Sequence, residues 1–138
     1  MNTEKHFNMN IHEEQIINFI VKEKKERVLQ MLLNSKNRKK FLRELSHYNS
    51  FDNKYVYGIP SNRQTPESIH EQLNILGAQG ECYVISGNQA LDCKHFQLKD
   101  ALKEIVGYDY GTIISCIPGE LAYYEGEDER LILKNRLH

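Results

Sequence analysis

The stretch from Gly111 to Gly126, Gly-Thr-Ile-Ile-Ser-Cys-Ile-Pro-Gly-Glu-Leu-Ala-Tyr-Tyr-Glu-Gly, constrains the fold more than any other part of the chain. Two runs of β-branched and aromatic residues flank Pro118-Gly119, in which Pro presets φ for the second position of a tight turn and Gly accepts a positive φ at the third. The pattern predicts a β-hairpin of residues 112–117 and 121–125. By strand alternation Ile113 and Ile117 fall on one face and Ile114 on the other, so the first strand is expected to be central and covered on both sides.

The rest of the second half supplies partners for this hairpin. Cys82 to Ser86 is β-prone, Gly87-Asn88-Gln89 reads as a turn, and Ala90 to Cys93 is expected to return as a short strand. Leu98, Ala101, Leu102, Ile105 and Val106 recur at helical spacing and close on Gly107. A last strand is expected over Arg130 to Leu133. Strands joined by short turns pair antiparallel, and only the Leu98 helix is long enough to act as a crossover.

The first half is helical in pattern. Ile16, Ile17, Ile20, Val21, Val28, Met31 and Leu32 predict one long helix from Ile11 to Leu33. Asn34-Ser35 then serves as stop and N-cap for a second helix with the apolar stripe Phe41, Leu42, Leu45 and Tyr48. Lys54 to Ile59 reads as a short strand, and Thr65-Pro66-Glu67 as the start of a third helix that runs to Gly77. The expected architecture is α+β, an antiparallel sheet of about five strands packed with an N-terminal helical hairpin and two further helices. A length of 138 residues fits a single domain spanning 1–138, with 1–10 expected to be flexible.

Charge is unevenly distributed. Residues 1–50 hold ten Lys and Arg against six Asp and Glu, and residues 51–138 hold eight against thirteen, around a net charge of −1. Opposite charge on two parts of a chain either joins them within the fold or presents contrasting surfaces to partners. The near-neutral total and the lack of a recognisable reading helix argue against nucleic-acid binding. No apolar run approaches the length of a bilayer span, and the polar start carries no secretory signal pattern, so no membrane association is expected. Three cysteines without a Cys-x-x-Cys pair suggest neither a disulfide framework nor a zinc ribbon, and fit a cytoplasmic protein. Abundant Lys, Asn and Ile fit a low-GC bacterial genome.

Candidate chemistry is sparse. Cys116 has no activating cation or histidine in its own segment and reads as a small buried hydrophobe. Cys93-Lys94-His95 is a single short pair where zinc sites normally bring two, and Gly77, Gly80 and Gly87 fit no phosphate loop, so no metal and no cofactor are expected. Lys36, Lys39, Lys40 and Arg43 share one helical face. The hairpin region is the preferred functional surface, with Tyr124 as an aromatic anchor and Glu125, Glu127, Asp128 and Glu129 as an acidic patch. These features favour a module that binds another protein, in a regulatory, adaptor or toxin-neutralising role, and leave self-association open. The alternative is an enzyme or small-ligand protein with a pocket between sheet and helices that uses Cys116, Tyr124 and Glu125.

Overall fold

The computed structural model describes residues 10–135. Six strands form one antiparallel sheet: β1 (Val56–Gly58), β2 (Glu81–Ser86), β3 (Lys94–Gln97), β4 (Thr112–Ile117), β5 (Leu121–Glu125) and β6 (Arg130–Lys134), in the order β1-β6-β5-β4-β2-β3. Among the described residues five α-helices accompany them: α1 (Ile11–Gln15), α2 (Lys25–Leu33), α3 (Ser35–Glu44), α4 (Pro66–Ile75) and α5 (Leu98–Ile105). The α+β class is as expected, with one strand more than the five anticipated. The expectation of a flexible start concerns residues outside those described, apart from Asn10, whose side chain caps α1 by accepting from the His12 N–H.

Both faces of the sheet are covered. One carries Phe19, Ile20, Phe41, Leu45, Tyr83, Ile85, Ile113 and Tyr124, packed with α1–α3. The other carries Ile69, Leu73, Val84, Leu98, Leu102, Ile114, Leu121 and Tyr123, packed with α4 and α5. Alternate residues of β2, β4 and β5 therefore feed opposite cores, which is why these strands are apolar almost throughout. Each fully buried Ile or Leu stabilises the fold by about 1.5–3 kcal/mol. The α5 crossover carries the chain from β3 to β4, which run parallel with β2 between them.

Local chemistry accounts for most boundaries. The Asn34 side chain accepts from the N–H groups of Lys36 and Asn37 at the start of α3, and Thr65 accepts from Ser68 N–H at the start of α4, behind Pro66 at the first helical position. Two expected boundaries need correction. The helix from Ile11 to Leu33 is broken, because Ile20 is extended and bridges Phe51, and Val21 N–H donates to Ser50 O. The break lets Ile20 pair with Phe51 as a short bridge, and the consecutive Phe19 and Ile20 both enter the core. The return strand after β2 is Lys94–Gln97, not 90–93, since residues up to Cys93 form the turn and Cys93 itself holds a left-handed φ of 63°.

The β4–β5 hairpin turns at Pro118-Gly119, with Glu120 N–H donating to Ile117 O at 2.9 Å and Gly119 at φ 72°, as a type II turn requires. Ser115 pairs with Ala122 and Ile117 with Leu121, so Cys116 is the extra residue of a bulge. The bulge sends Ile117 to the α4–α5 face, opposite to Ile113, against the simple alternation. A Cβ on Gly119 would lie 2.4 Å from Asn18 Nδ2 and 3.1 Å from the Gln15 side chain. Gly119→Ala is therefore expected to destabilise the protein by about 1 kcal/mol or more, from the positive φ and the crowding together. Denaturation midpoints measure it; an unchanged midpoint would contradict this account of the turn.

Candidate binding face

The C-terminal end of α3 meets the sheet at unusually short range. A Cβ on Gly111 would lie 2.4 Å from Ser46 N, and one on Gly126 would lie 2.7 Å from Ser46 O and 2.2 Å from the Tyr124 hydroxyl. The Tyr124 hydroxyl donates to Leu45 O at 2.6 Å and accepts from Tyr48 N–H at 3.2 Å. Edge-to-face contacts link Phe41, Tyr48, Phe51 and Tyr124 behind it, with centroids 4.9–5.6 Å apart. Burial pushes the Tyr124 hydroxyl up to about 12, so it stays a neutral donor. Glu127 N–H then donates to Ser46 O at 2.8 Å, and His47 Nε2 lies 3.3 Å from Glu127 Oε2.

A second device fixes the loop beside this contact. Glu125 is fully buried, and its carboxylate accepts from Gly107 N–H, from Asp109 N–H at 2.8 Å, from the Tyr123 hydroxyl at 2.7 Å and from Arg130 Nε at 3.3 Å. Arg130 also pairs with Asp109 at 3.2 Å. The loop after α5 uses positive φ at Gly107 and at Asp109, and a charged acceptor for its N–H groups holds that shape. It displays Tyr108, 62% exposed, stacked on Tyr110 with centroids 6.0 Å apart.

Between α3 and these loops lies a groove of about 430 Å³, lined among others by Lys39, Leu42, Arg43, Gln89 and Tyr110. Lys39 and Arg43 are one helical turn apart and both exposed. Beyond Ser46 the turn between β5 and β6 exposes Glu127, Asp128 and Glu129. The basic helix and the acidic turn, far apart in sequence, therefore stand side by side at one end of the sheet.

The sequence-predicted residues divide sharply. Glu127, Asp128 and Glu129 are at the surface as expected. Tyr124 and Glu125 are not: both are fully buried, because a hydroxyl and a carboxylate on the central hairpin are the groups that satisfy the backbone of the α3 end and of the loop after α5. Tyr124 is thus no exposed anchor. Nor does the structure assemble a pocket from Cys116, Tyr124 and Glu125. Tyr124 faces the α1–α3 core, Cys116 the opposite one, and Glu125 lies at the far end of the hairpin from Cys116. The stacked pair of exposed Tyr108 and half-buried Tyr110 was missed; its signal is an aromatic repeat directly after the helix-closing Gly107.

A separate polar cluster ties α1, α3 and the β2–β3 turn together on the α1–α3 face. Arg38 donates to both oxygens of Asp92, at 2.8 and 3.1 Å, and to Glu13 at 2.5 Å, while Glu13 also accepts from the Tyr83 hydroxyl at 2.6 Å. Asp92 in turn accepts from Ser86 N–H, so each carboxylate is multiply satisfied. His12 stacks on Tyr83 and has His95 edge-on, with its Nδ1 2.7 Å from Ser115 Oγ. Cys93 sits at the rim, with Sγ 3.5 Å from Asp92 Oδ2. Burial, reinforced by Asp92 and Glu13, holds its pKa above the usual thiol value despite Arg38. Burial pushes Cys82 up to about 12 and raises Cys116 further.

Cys93 and His95 belong to no three-residue metal-ligand group among the described residues. One such group exists: His47, Glu127 and Asp128, all exposed, each place a ligand atom within 4.8 Å of the others. No helix among the described residues is long and apolar enough to cross a membrane. Comparison with known proteins adds nothing to the geometry, since no family model, curated protein or solved structure matches the chain.

Two outcomes follow from these environments. In the folded protein at neutral pH, Cys93 is expected to be alkylated more slowly than free cysteine, and Cys82 and Cys116 only after unfolding. Peptide mapping by mass spectrometry reads this, and rapid alkylation of folded Cys116 would contradict it. The second concerns His12, whose pKa is lowered from 6.5 by desolvation and then by the charge of His95, partly offset by Glu81. A depressed histidine binds its proton less readily folded than unfolded, so its contribution is complete above 6.5 and is lost as pH falls below that value through the folded pKa. His12→Asn is expected to flatten the loss of stability between neutral pH and pH about 5. Midpoints of wild type and variant that fall in parallel would refute it.

Proposed function

We propose that this chain works by binding another protein, as a regulatory, adaptor or toxin-neutralising module in a bacterial cytoplasm. The observation that carries this reading is the juxtaposition of Lys39 and Arg43 on α3 with Glu127, Asp128 and Glu129 on the β5–β6 turn, on either side of Ser46. Surfaces with both signs of charge fix the orientation of a partner and speed encounter, while desolvated aromatic rings supply contact energy. Here Tyr108 and Tyr110 take the anchoring role first expected of Tyr124. Tyr124 and Glu125 hold the backbone beneath this face by hydrogen bonds, which lowers the backbone ordering cost of binding.

The interior favours the same reading over an enzymatic one. All three thiols are held above their ordinary pKa, and Glu125 is engaged by four donor groups. A nucleophile needs the opposite conditions.

The test is affinity capture from the native host with the tagged chain, followed by binding kinetics with the captured protein. A stoichiometric partner is expected. Reversing Glu127, Asp128 and Glu129 together to Lys should slow association on the order of tenfold, and Tyr108→Ala should speed dissociation, with both variants folded. No stoichiometric partner, or a partner indifferent to both variants, would overturn the proposal.

A further inference from the structure

Resting on that reading, we infer that the groove beside α3 receives an acidic extended segment of the partner, followed in that segment by basic residues that reach the β5–β6 turn. The groove's charge is one-sided. Lys39 and Arg43 form no ion pair among the described residues, whereas the carboxylate on the far wall, Asp109, is already held by Arg130. Two cations one helical turn apart suit a carboxylate pair on an extended chain.

Leu42 and Tyr110 line the same groove and offer apolar surface to a side chain lying between those carboxylates. Its volume of about 430 Å³ lies within the range of binding clefts. The neighbouring acids decide between polyanions. A nucleic-acid strand carries phosphate at every step and would run from Lys39 and Arg43 directly onto Glu127, Asp128 and Glu129. A peptide can change sign along its length, and only a segment of changing sign complements both halves of the face.

The experiment uses the full chain and three synthetic probes: a peptide with a Glu-rich block around one Leu followed by a Lys-rich block, a scrambled peptide of the same composition, and a single-stranded oligonucleotide. Fluorescence anisotropy gives affinities, and amide chemical shifts locate the site. The block peptide is expected to bind best and to shift Gly87, Tyr110 and Gly111. The double variant Lys39→Glu, Arg43→Glu should weaken it about tenfold or more, while Lys36→Glu, Lys40→Glu, on exposed positions of α3 outside the groove, should have a much smaller effect. Equal binding of the scrambled peptide, tighter binding of the oligonucleotide, or shifts confined to other surfaces would overturn the inference. A host protein still captured after any of those results would leave the protein-binding reading standing with another docking chemistry. Block-peptide binding without a captured host protein would sink that reading alone.

Discussion

The contact between the end of α3 and the backbone of the central strands governs the layout of this protein. Leu45 and Ser46 approach Gly111 and Gly126 so closely that no side chain fits at either glycine, and the Tyr124 hydroxyl stands in for the missing partner of the Leu45 carbonyl. A helix end leaves carbonyls without intrahelical partners, and burying one unsatisfied costs on the order of 1–3 kcal/mol. Tyr124 resolves that cost for Leu45, and Glu127 N–H does the same for Ser46. The functional consequence is geometric. The constraint that seats α3 also brings its basic face beside the acidic turn, so fold and charge pattern share one cause.

Covering the sheet on both faces creates a second requirement, that polar groups near its centre be satisfied internally. No buried side-chain nitrogen or oxygen among the described residues lacks a hydrogen-bond partner. Glu125 serves the loop after α5, Glu13 and Asp92 serve Arg38 and Tyr83, and Ser86 lies 2.8 Å from Thr112 between β2 and β4. Such networks are stable only when complete, and complete networks leave no group aimed at a ligand.

What could be read from the sequence follows the range of the interactions involved. Turn chemistry at Pro118-Gly119, the Asn34 and Thr65 caps and the α5 stripe are encoded within a few residues, and the structure holds each where local rules put it. The break at Ile20 depends on Phe51 and the bulge at Cys116 on its register with β5, partners that no local pattern names. The same limit explains the misreading of Tyr124 and Glu125. Alternation assigns Tyr124 to one face of the hairpin, but it is the arrival of distant residues, Phe51 and Leu45, the latter seventy-nine residues earlier, that makes that face an interior one. Glu127, Asp128 and Glu129 were legible because a run of acids beside Gly126 has few ways to be buried.

This division between a satisfied interior and a polarised end face bears on where new function could be located in the molecule. Altering the buried carboxylates or Tyr124 would disturb the backbone they hold before it changed any surface. Lys39, Arg43, Tyr108 and the acidic turn are exposed, and their substitution leaves those supports in place. In a scaffold of this kind the residues that stabilise the fold and those that shape the exposed end face are different. The central hairpin fixes the positions of α3 and of the loop after α5, and the exposed side chains they display can vary at little cost to the fold.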